Sequence, residues 1–314
     1  MAIYSNIQGQ NIEILTTDPT NPQLGQIWYN TSSCQLCGYR FQSTWATAPA
    51  LGTARRYLAG AGTSNTAALA FGGYTTLIVA CTESYNGTSW TTGGAMGTTR
   101  YRLAGAGASN TAALGFGGST PTIVACTESY NGSTWTGGGA LNTARILPGG
   151  AGTNTSALAF GGQNPAPTNL ACTESYNGTS WTAVAAMNSC GQTVGVGTSN
   201  TSALSFTSSR NESWNGTSWT VQTSLNNPRG QLAGAGSRTC AVAFGGGTNS
   251  TLTESWNGTI WINGGNMNSG RSQLTGAGTN TAALGFGGTT SPTFLGLSCT
   301  ESYVGNVSKG LSTN

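Results

Sequence analysis

Short apolar runs recur along this chain, each flanked by glycine. Thr111 to Gly118 reads Thr-Ala-Ala-Leu-Gly-Phe-Gly-Gly, with Ala112, Leu114 and Phe116 on one face and Ala113 and Gly115 on the other. A strand apolar on both faces is one covered from both sides. Leu103 to Gly107 precedes it, and its Gly/Ala alternation suits a crowded place where strands converge. After it, Val124 to Tyr130 reads as a third strand, and a fourth begins near Trp135. Asn86-Gly87, between Tyr85 and Thr88, predicts a two-residue hairpin turn with both central residues at positive φ. Asn131-Gly132, Asn177-Gly178, Asn215-Gly216 and Asn257-Gly258 repeat that signal.

These four strands, a to d, form a unit that the chain states six times. The Gly-Ala-Gly element starts at Gly60, Gly105, Gly150, Gly195 (here Gly-Val-Gly), Gly234 and Gly276, at intervals of 45, 45, 45, 39 and 42 residues. Such a period, with a double glycine and paired aromatics in each unit, predicts sheets arrayed radially. Each unit is too small to bury its own apolar face, so it depends on its neighbours. Trp45 stands 15 residues before Gly60, as Trp90 stands 15 before Gly105, so the chain enters the array on a fourth strand. The sixth unit stops after Glu301-Ser302-Tyr303 without its Asn-Gly and Trp. The strand near Trp45 therefore completes the last sheet, which removes two open edges. The expected fold is all-β: a six-bladed β-propeller of four-stranded blades over residues 38–314, closed by an N-terminal strand. Residues 1–37 form a separate segment: a turn-rich linker at Asp18-Pro19-Thr20-Asn21-Pro22, then a hairpin of Gly25 to Asn30 with Leu36 to Phe41.

Spacing separates fixed parts from variable ones. Glu to the following Trp is 7 residues in every complete unit, whereas the strand-b Phe to that Glu spans 12, 12, 14, 6, 10 and 15. The variation sits in the b–c loops, which emerge on one rim, and insertions confined to one face mark a binding face or free drift in solvent loops. Candidate contact residues there are Tyr74, Thr75, Pro121, Asn164, Pro165, Asn249, Ser291 and Pro292.

Charge is sparse, at 6% of residues, with 11 basic and 8 acidic side chains and no Lys/Arg cluster. Neither nucleic acid nor an anionic membrane finds a footprint here. No apolar run is long enough for a membrane-spanning helix, and the N-terminus lacks the pattern of a secretory signal. Six of the eight acids are Glu83, Glu128, Glu174, Glu212, Glu254 and Glu301, one per unit. Arg55 or Arg56, Arg100 or Arg102, Arg145, Arg229 and Arg271 precede strand a. An acid and a base repeated in step suggest an internal ring of paired charges, since a catalytic pair breaks repeat symmetry. The tryptophans Trp45, Trp90, Trp135, Trp181, Trp219 and Trp261 are equally periodic and structural.

Of eight cysteines, Cys81, Cys126, Cys172 and Cys299 hold equivalent positions in different units, too far apart to bridge. Cys34 and Cys37 have CxxC spacing without a second pair or a histidine, which fits a local disulfide or free thiols better than zinc. With no histidine, His-based triads and histidine-ligated metals are excluded. No catalytic residue, metal or cofactor is expected. The Asn-x-Ser/Thr triplets at Asn86, Asn177, Asn215 and Asn257 coincide with hairpin turns and are read as turn chemistry.

The double glycine after strand b (Gly72-Gly73, Gly117-Gly118, Gly161-Gly162, Gly245-Gly246, Gly287-Gly288), then Tyr or Trp, then Trp, resembles the kelch-type β-propeller over residues 45–303. The fourth unit departs from it, with Thr207-Ser208 after Phe206. The resemblance implies that b–c and d–a loops share a partner-binding face; the missing histidines rule out the copper oxidases of that fold. Thr17 to Pro22, Gly25 to Thr31, Gly38-Tyr39 and Ser43-Thr44-Trp45 resemble a short module of tail fibre and other appendage proteins of tailed phages, notably those of cyanobacteria. This implies a virion protein, assembled in the host cytoplasm and exposed outside after lysis. It would attach to other virion proteins through residues 1–37, stand in multiple copies or as a homo-oligomer, and present the propeller to host-surface glycan. The alternatives are a capsid decoration or tail collar without ligand and, more distantly, a glycan hydrolase.

Overall fold

The computed structural model describes residues 12–17, 27–32, 34–207 and 210–310, with backbone alone for 35–42 and 306–310. The chain divides into two compact units, residues 44–304 and residues 1–43 with 305–314.

The larger unit is a β-propeller of six antiparallel four-stranded blades. In blade one, strands a to d are Ala59–Ser64, Ala67–Phe71, Thr82–Tyr85 and Trp90–Thr92. Their register sets Gly60 opposite Ala70, Ala70 opposite Glu83 and Glu83 opposite Thr92. Four further sheets repeat this order, and the last blade takes Thr275–Gly278, Ala282–Phe286 and Thr300–Gly310 as strands a to c. Its strand d is Gln35–Ala48, so the N-terminal strand does close the ring.

The core lies between blades. Among the described residues, buried apolar side chains form six clusters, each spanning two neighbouring sheets. Each strand-d Trp packs on the strand-b Phe of the preceding blade, as in Trp135 on Phe71 (4.8 Å) and Trp181 on Phe116 (4.9 Å). The closing contact is Trp45 on Phe244, at 4.8 Å. The indole N–H of each donates to the strand-c Thr of the same preceding blade: Trp135 to Thr82 (2.9 Å), Trp181 to Thr127 (3.0 Å), Trp219 to Thr173 (2.9 Å), Trp90 to Thr300 (3.2 Å) and Trp45 to Thr253 (2.9 Å). Blade four has Asn211 where the others have Thr, and there the ring breaks. Trp261 Nε1 and Asn211 Oδ1 are both buried without a hydrogen-bond partner.

Strands a crowd at the centre, which explains their glycines. A Cβ on Gly105 would stand 2.4 Å from the Gly60 carbonyl oxygen and 2.9 Å from Phe71 Cζ. The double glycines serve a second junction: Gly72 and Gly73 have φ of 62° and 111°, and Gly73 N–H donates to the Arg100 carbonyl of the next blade at 2.8 Å.

Three expectations are corrected. The c–d turn has four residues, Asn86 to Ser89, because Tyr85 pairs with Trp90. Only Gly87 of the Asn-Gly pair has positive φ. Asn86 instead accepts the N–H groups of Thr88 and Ser89 on Oδ1, each at 2.9 Å, as an Asx turn does. Strand c of blade two starts at Thr127 rather than Val124, since the Cys126 carbonyl turns to accept from Gly117 N–H and Arg100 Nη1. Strand a of blade two is Ala104–Ser109, one residue later than Leu103.

In the smaller unit, Ile27–Asn30 pairs antiparallel with Gln35–Ala48, as the hairpin reading requires. Glu13–Leu15 adds a parallel strand beside Ile27–Asn30 that the sequence did not announce. The Asp18 to Pro22 turn lies outside the described residues.

Two stability measurements follow. Trp45→Ala deletes the closing aromatic and is expected to cost about 3–5 kcal/mol, read by calorimetry against Trp45→Phe, which keeps the ring contact and loses only the Thr253 bond. Equal melting temperatures for the two variants would remove the closing role of that contact. Asn211→Thr supplies the hydroxyl that blade four lacks and is expected to raise the melting temperature by a few degrees, the yield of about 1 kcal/mol; a fall would show that Asn211 is better placed than Thr.

Candidate functional site

The repeated charges sit beneath the surface. Arg55, Arg100, Arg145, Arg229 and Arg271 pair with Glu83, Glu128, Glu174, Glu254 and Glu301, each pair within one blade. Arg100 Nη2 meets Glu128 Oε1 at 2.9 Å, its Nη1 donates to the Gly117 and Cys126 carbonyls, and Glu128 Oε2 takes Gly97 N–H. Burial pulls the Arg55 and Arg100 guanidiniums below their ordinary pKa, against the opposing pull of Glu83 and Glu128. In blade four Cys190 replaces the arginine, and Glu212 is satisfied by Asn188 and Ser189 alone. The acids thus tie each incoming d–a loop to strand c.

With those arginines engaged, Arg56 and Arg102 are left over. Each d–a loop ends, three residues before the Gly-Ala-Gly element, on Tyr57, Arg102, Leu147, Gln192, Gln231 or Gln273. Tyr57, Arg102, Leu147, Gln231 and Gln273 hold φ between 51° and 57°. Arg102 N–H donates to the Tyr57 carbonyl (2.9 Å), Leu147 to Arg102 (2.8 Å), Gln273 to Gln231 (2.9 Å) and Tyr57 to Gln273 (3.0 Å). A backbone belt therefore runs through blades five, six, one, two and three along the mouth of the central channel, with Gln192 of blade four outside it. Its side chains line a cavity of about 1040 Å³. At the far end of strands a, where the glycines converge, the space shrinks to about 70 Å³.

One sector of this mouth differs from the rest. The Arg102 guanidinium carbon lies 4.7 Å from the Tyr57 ring centre and 5.2 Å from that of Tyr101, and Arg56 lies 5.2 Å from Tyr74. Arg56 also donates to Gln273 Oε1 at 3.1 Å, and Gln273 to Gln231 Oε1 at 3.2 Å. Among the described residues neither Arg56 nor Arg102 has an acidic partner, and the Nε of each is buried without a hydrogen bond. Among the described residues no carboxylate lines the cavity, while Arg102, Arg210 and the Glu254-paired Arg229 do. Among the described residues no three His, Cys, Asp or Glu side chains converge as a metal site requires.

The loop residues named from sequence surround this cavity without lining it. Tyr74 is half-buried against Tyr101 at 5.7 Å. Thr75 turns back on Leu77. Pro121, Pro165 and Pro292 are exposed, and Asn164 Oδ1 closes its own loop on Ala166 and Thr168. Asn249 and Ser291 bond each other across blades five and six, at 2.7 and 3.0 Å. Sequence reasoning missed Tyr57, Gln192, Gln231 and Gln273 and named Arg102 only as an alternative member of the buried charge ring; the available signal was a position that varies in chemistry inside a unit of fixed spacing. Cys34 is a free thiol, as are Cys81, Cys126, Cys172, Cys190, Cys240 and Cys299.

These features define a six-bladed propeller with a wide, polar, cation-bearing mouth on the rim that carries the d–a and b–c loops. Among solved structures, YjhT superposes with a TM-score of 0.63 over 86% of this chain and 100% of its own, at 12% identity, a likeness of fold. No protein-family model matches the chain, and no curated protein does.

Glu128→Gln tests the buried pair. An amide nitrogen would face a donor in either orientation, Arg100 or Gly97, so a loss of about 3–5 kcal/mol is expected in denaturant unfolding; a loss under 1 kcal/mol would mean that the charge is dispensable there.

Proposed function

We infer that this chain is a recognition module of a phage particle: a virion appendage protein whose propeller engages host-surface glycan at the wide mouth. One observation carries the recognition role. The residues that break the repeat gather where the scaffold opens a cavity of about 1040 Å³. Concave sites of that size, with a few convergent polar groups, are the usual form of small-ligand sites. Tyr57, Gln192, Gln231, Gln273, Gln163 and Asn169 supply amide donors and acceptors beside an aromatic face, chemistry that fits a polyhydroxylated ligand. The phage setting rests on the module-like residues 16–45, and attachment to the particle falls to residues 1–37.

A second reading, decoration of a capsid or tail without ligand, draws on Val221 (64% exposed), Ile262 (50%) and Ile260 (49%) on and beside the outer strands of blades four and five. Apolar groups there suit cover by another subunit.

Fluorescently labelled chain on an array of bacterial envelope polysaccharides separates the two. Binding is expected, with the exposed thiol of Cys190 at the mouth shielded from alkylation while that of Cys240, on an a–b turn, reacts as before. An array without signal, or binding that leaves Cys190 equally reactive, would overturn recognition at this mouth. Release of new reducing ends from bound polysaccharide would favour the hydrolase alternative.

A further inference from the structure

The sequence varies the mouth position from blade to blade, and the variation is not symmetric. Gln192, Gln231 and Gln273 hold three of the six places, while Tyr57 and Arg102 stand together on blades one and two. The glutamines offer neutral donors and acceptors. Arg102 offers a charge that no acidic side chain among the described residues pairs with: the six repeat glutamates are committed beneath the loops, to Arg55, Arg100, Arg145, Arg229, Arg271 and, in blade four, Asn188 and Ser189.

The cation is also held in place. Tyr57 and Tyr101 flank the Arg102 guanidinium at 4.7 and 5.2 Å, and Tyr57 and Tyr74 flank that of Arg56 at 5.6 and 5.2 Å. The two tyrosines that share Arg102 lie 6.2 Å apart. Stacking on aromatic faces restrains a side chain that is otherwise long and free. A guanidinium so restrained, on the wall of the cavity, presents a fork matched to a carboxylate. Arg210, on the b–c loop of blade four, adds a second positive charge to the wall.

We propose that the mouth is selective for acidic saccharides: a sugar carboxylate sits on the Arg102 guanidinium, while the hydroxyls of its ring and of its neighbours reach the glutamines of the belt. This rests on the recognition role given above and adds the charge of the ligand. Neutral glycans lack the group that Arg102 is placed to receive. Phosphate or sulfate alone would meet the cation without using the amide wall.

The experiment is calorimetric titration of the full chain with tri-galacturonate and with a hyaluronan tetrasaccharide, each against its methyl ester, which keeps the ring and removes the charge. At least one acid is expected to bind tenfold or more tighter than its ester, the scale of a lost charge-assisted hydrogen bond, and to weaken as salt is raised. Arg102→Gln should bring that acid to the affinity of its ester. This variant installs the residue that blades five and six already carry at the same backbone conformation, so its fold is expected to survive, checked by an unchanged melting temperature. Arg102→Lys should recover part of the affinity. Equal binding of acid and ester, an Arg102→Gln variant that binds as the parent does, or no binding of either acid would overturn the proposal. Should neutral polysaccharides alone bind and shield Cys190, the acid preference falls and glycan recognition stands. Should no glycan shield Cys190, both fall.

Discussion

A tryptophan laid on the phenylalanine of the blade before it is the contact on which this structure depends. It occurs at all six junctions: Trp135 on Phe71, Trp181 on Phe116, Trp219 on Phe160, Trp261 on Phe206, Trp45 on Phe244 and Trp90 on Phe286. Aromatic pairs bury large areas and add about 0.5–1.5 kcal/mol through ring geometry. Because each partner comes from a different sheet, no blade holds its core alone. The ring must therefore close, and Trp45, the first tryptophan of the propeller, closes it by carrying the last junction. Sequence order and spatial order part company only there.

Closure imposes a second constraint at the hub. Six strands meeting on one axis leave no space for side chains, and the cost falls on Gly60, Gly105, Gly150, Gly195, Gly234 and Gly276, whose missing Cβ atoms would strike a neighbouring Phe ring or backbone carbonyl within about 3 Å. Away from that waist the strands diverge, and the residue ending each d–a loop is free of the packing rule. The belt of backbone hydrogen bonds through Tyr57, Arg102, Leu147, Gln231 and Gln273 fixes the main chain there without calling on the side chains. Positions whose backbone is fixed and whose side chain is free can vary in chemistry without loss of fold. That is what a recognition surface needs.

How far this was legible follows from the same division. Anything that obeys the repeat could be read by counting: strands, blade number, the closing strand, and the acid-and-base ring. The sequence reading left open which member of Arg55-Arg56 and of the Arg100/Arg102 pair is buried, although the count decides it. Arg55 and Arg100, like Arg145, Arg229 and Arg271, stand five residues before their Gly-Ala-Gly element, whereas Arg56 stands four before and Arg102 three, and the fold turns the five-residue members inward. The Asn-Gly turn misled because Asn86 uses its side chain as a hydrogen-bond acceptor, so that its own backbone need not enter the left-handed region. Length variation drew attention to the b–c loops, whereas the cavity is lined mostly by loops of nearly constant length that vary in residue type.

Blade four shows what the symmetry tolerates. It lacks the arginine, the strand-c threonine and the double glycine, and it has the shortest b–c loop. Yet Phe206 still receives Trp261 at 5.4 Å, and Glu212 still ties its d–a loop to strand c. Hydrogen bonding of the carboxylate and the aromatic junction are thus the retained parts, and the ion pair is one of two ways to meet the first. Its departures place Cys190, Gln192 and Arg210 on the cavity wall. The blade that departs furthest from the repeat therefore reshapes the same mouth that Arg102 and Tyr57 make uneven from the other sectors. In a wheel of near-identical sheets, chemistry is confined to places where identity is broken, and here those places share one opening.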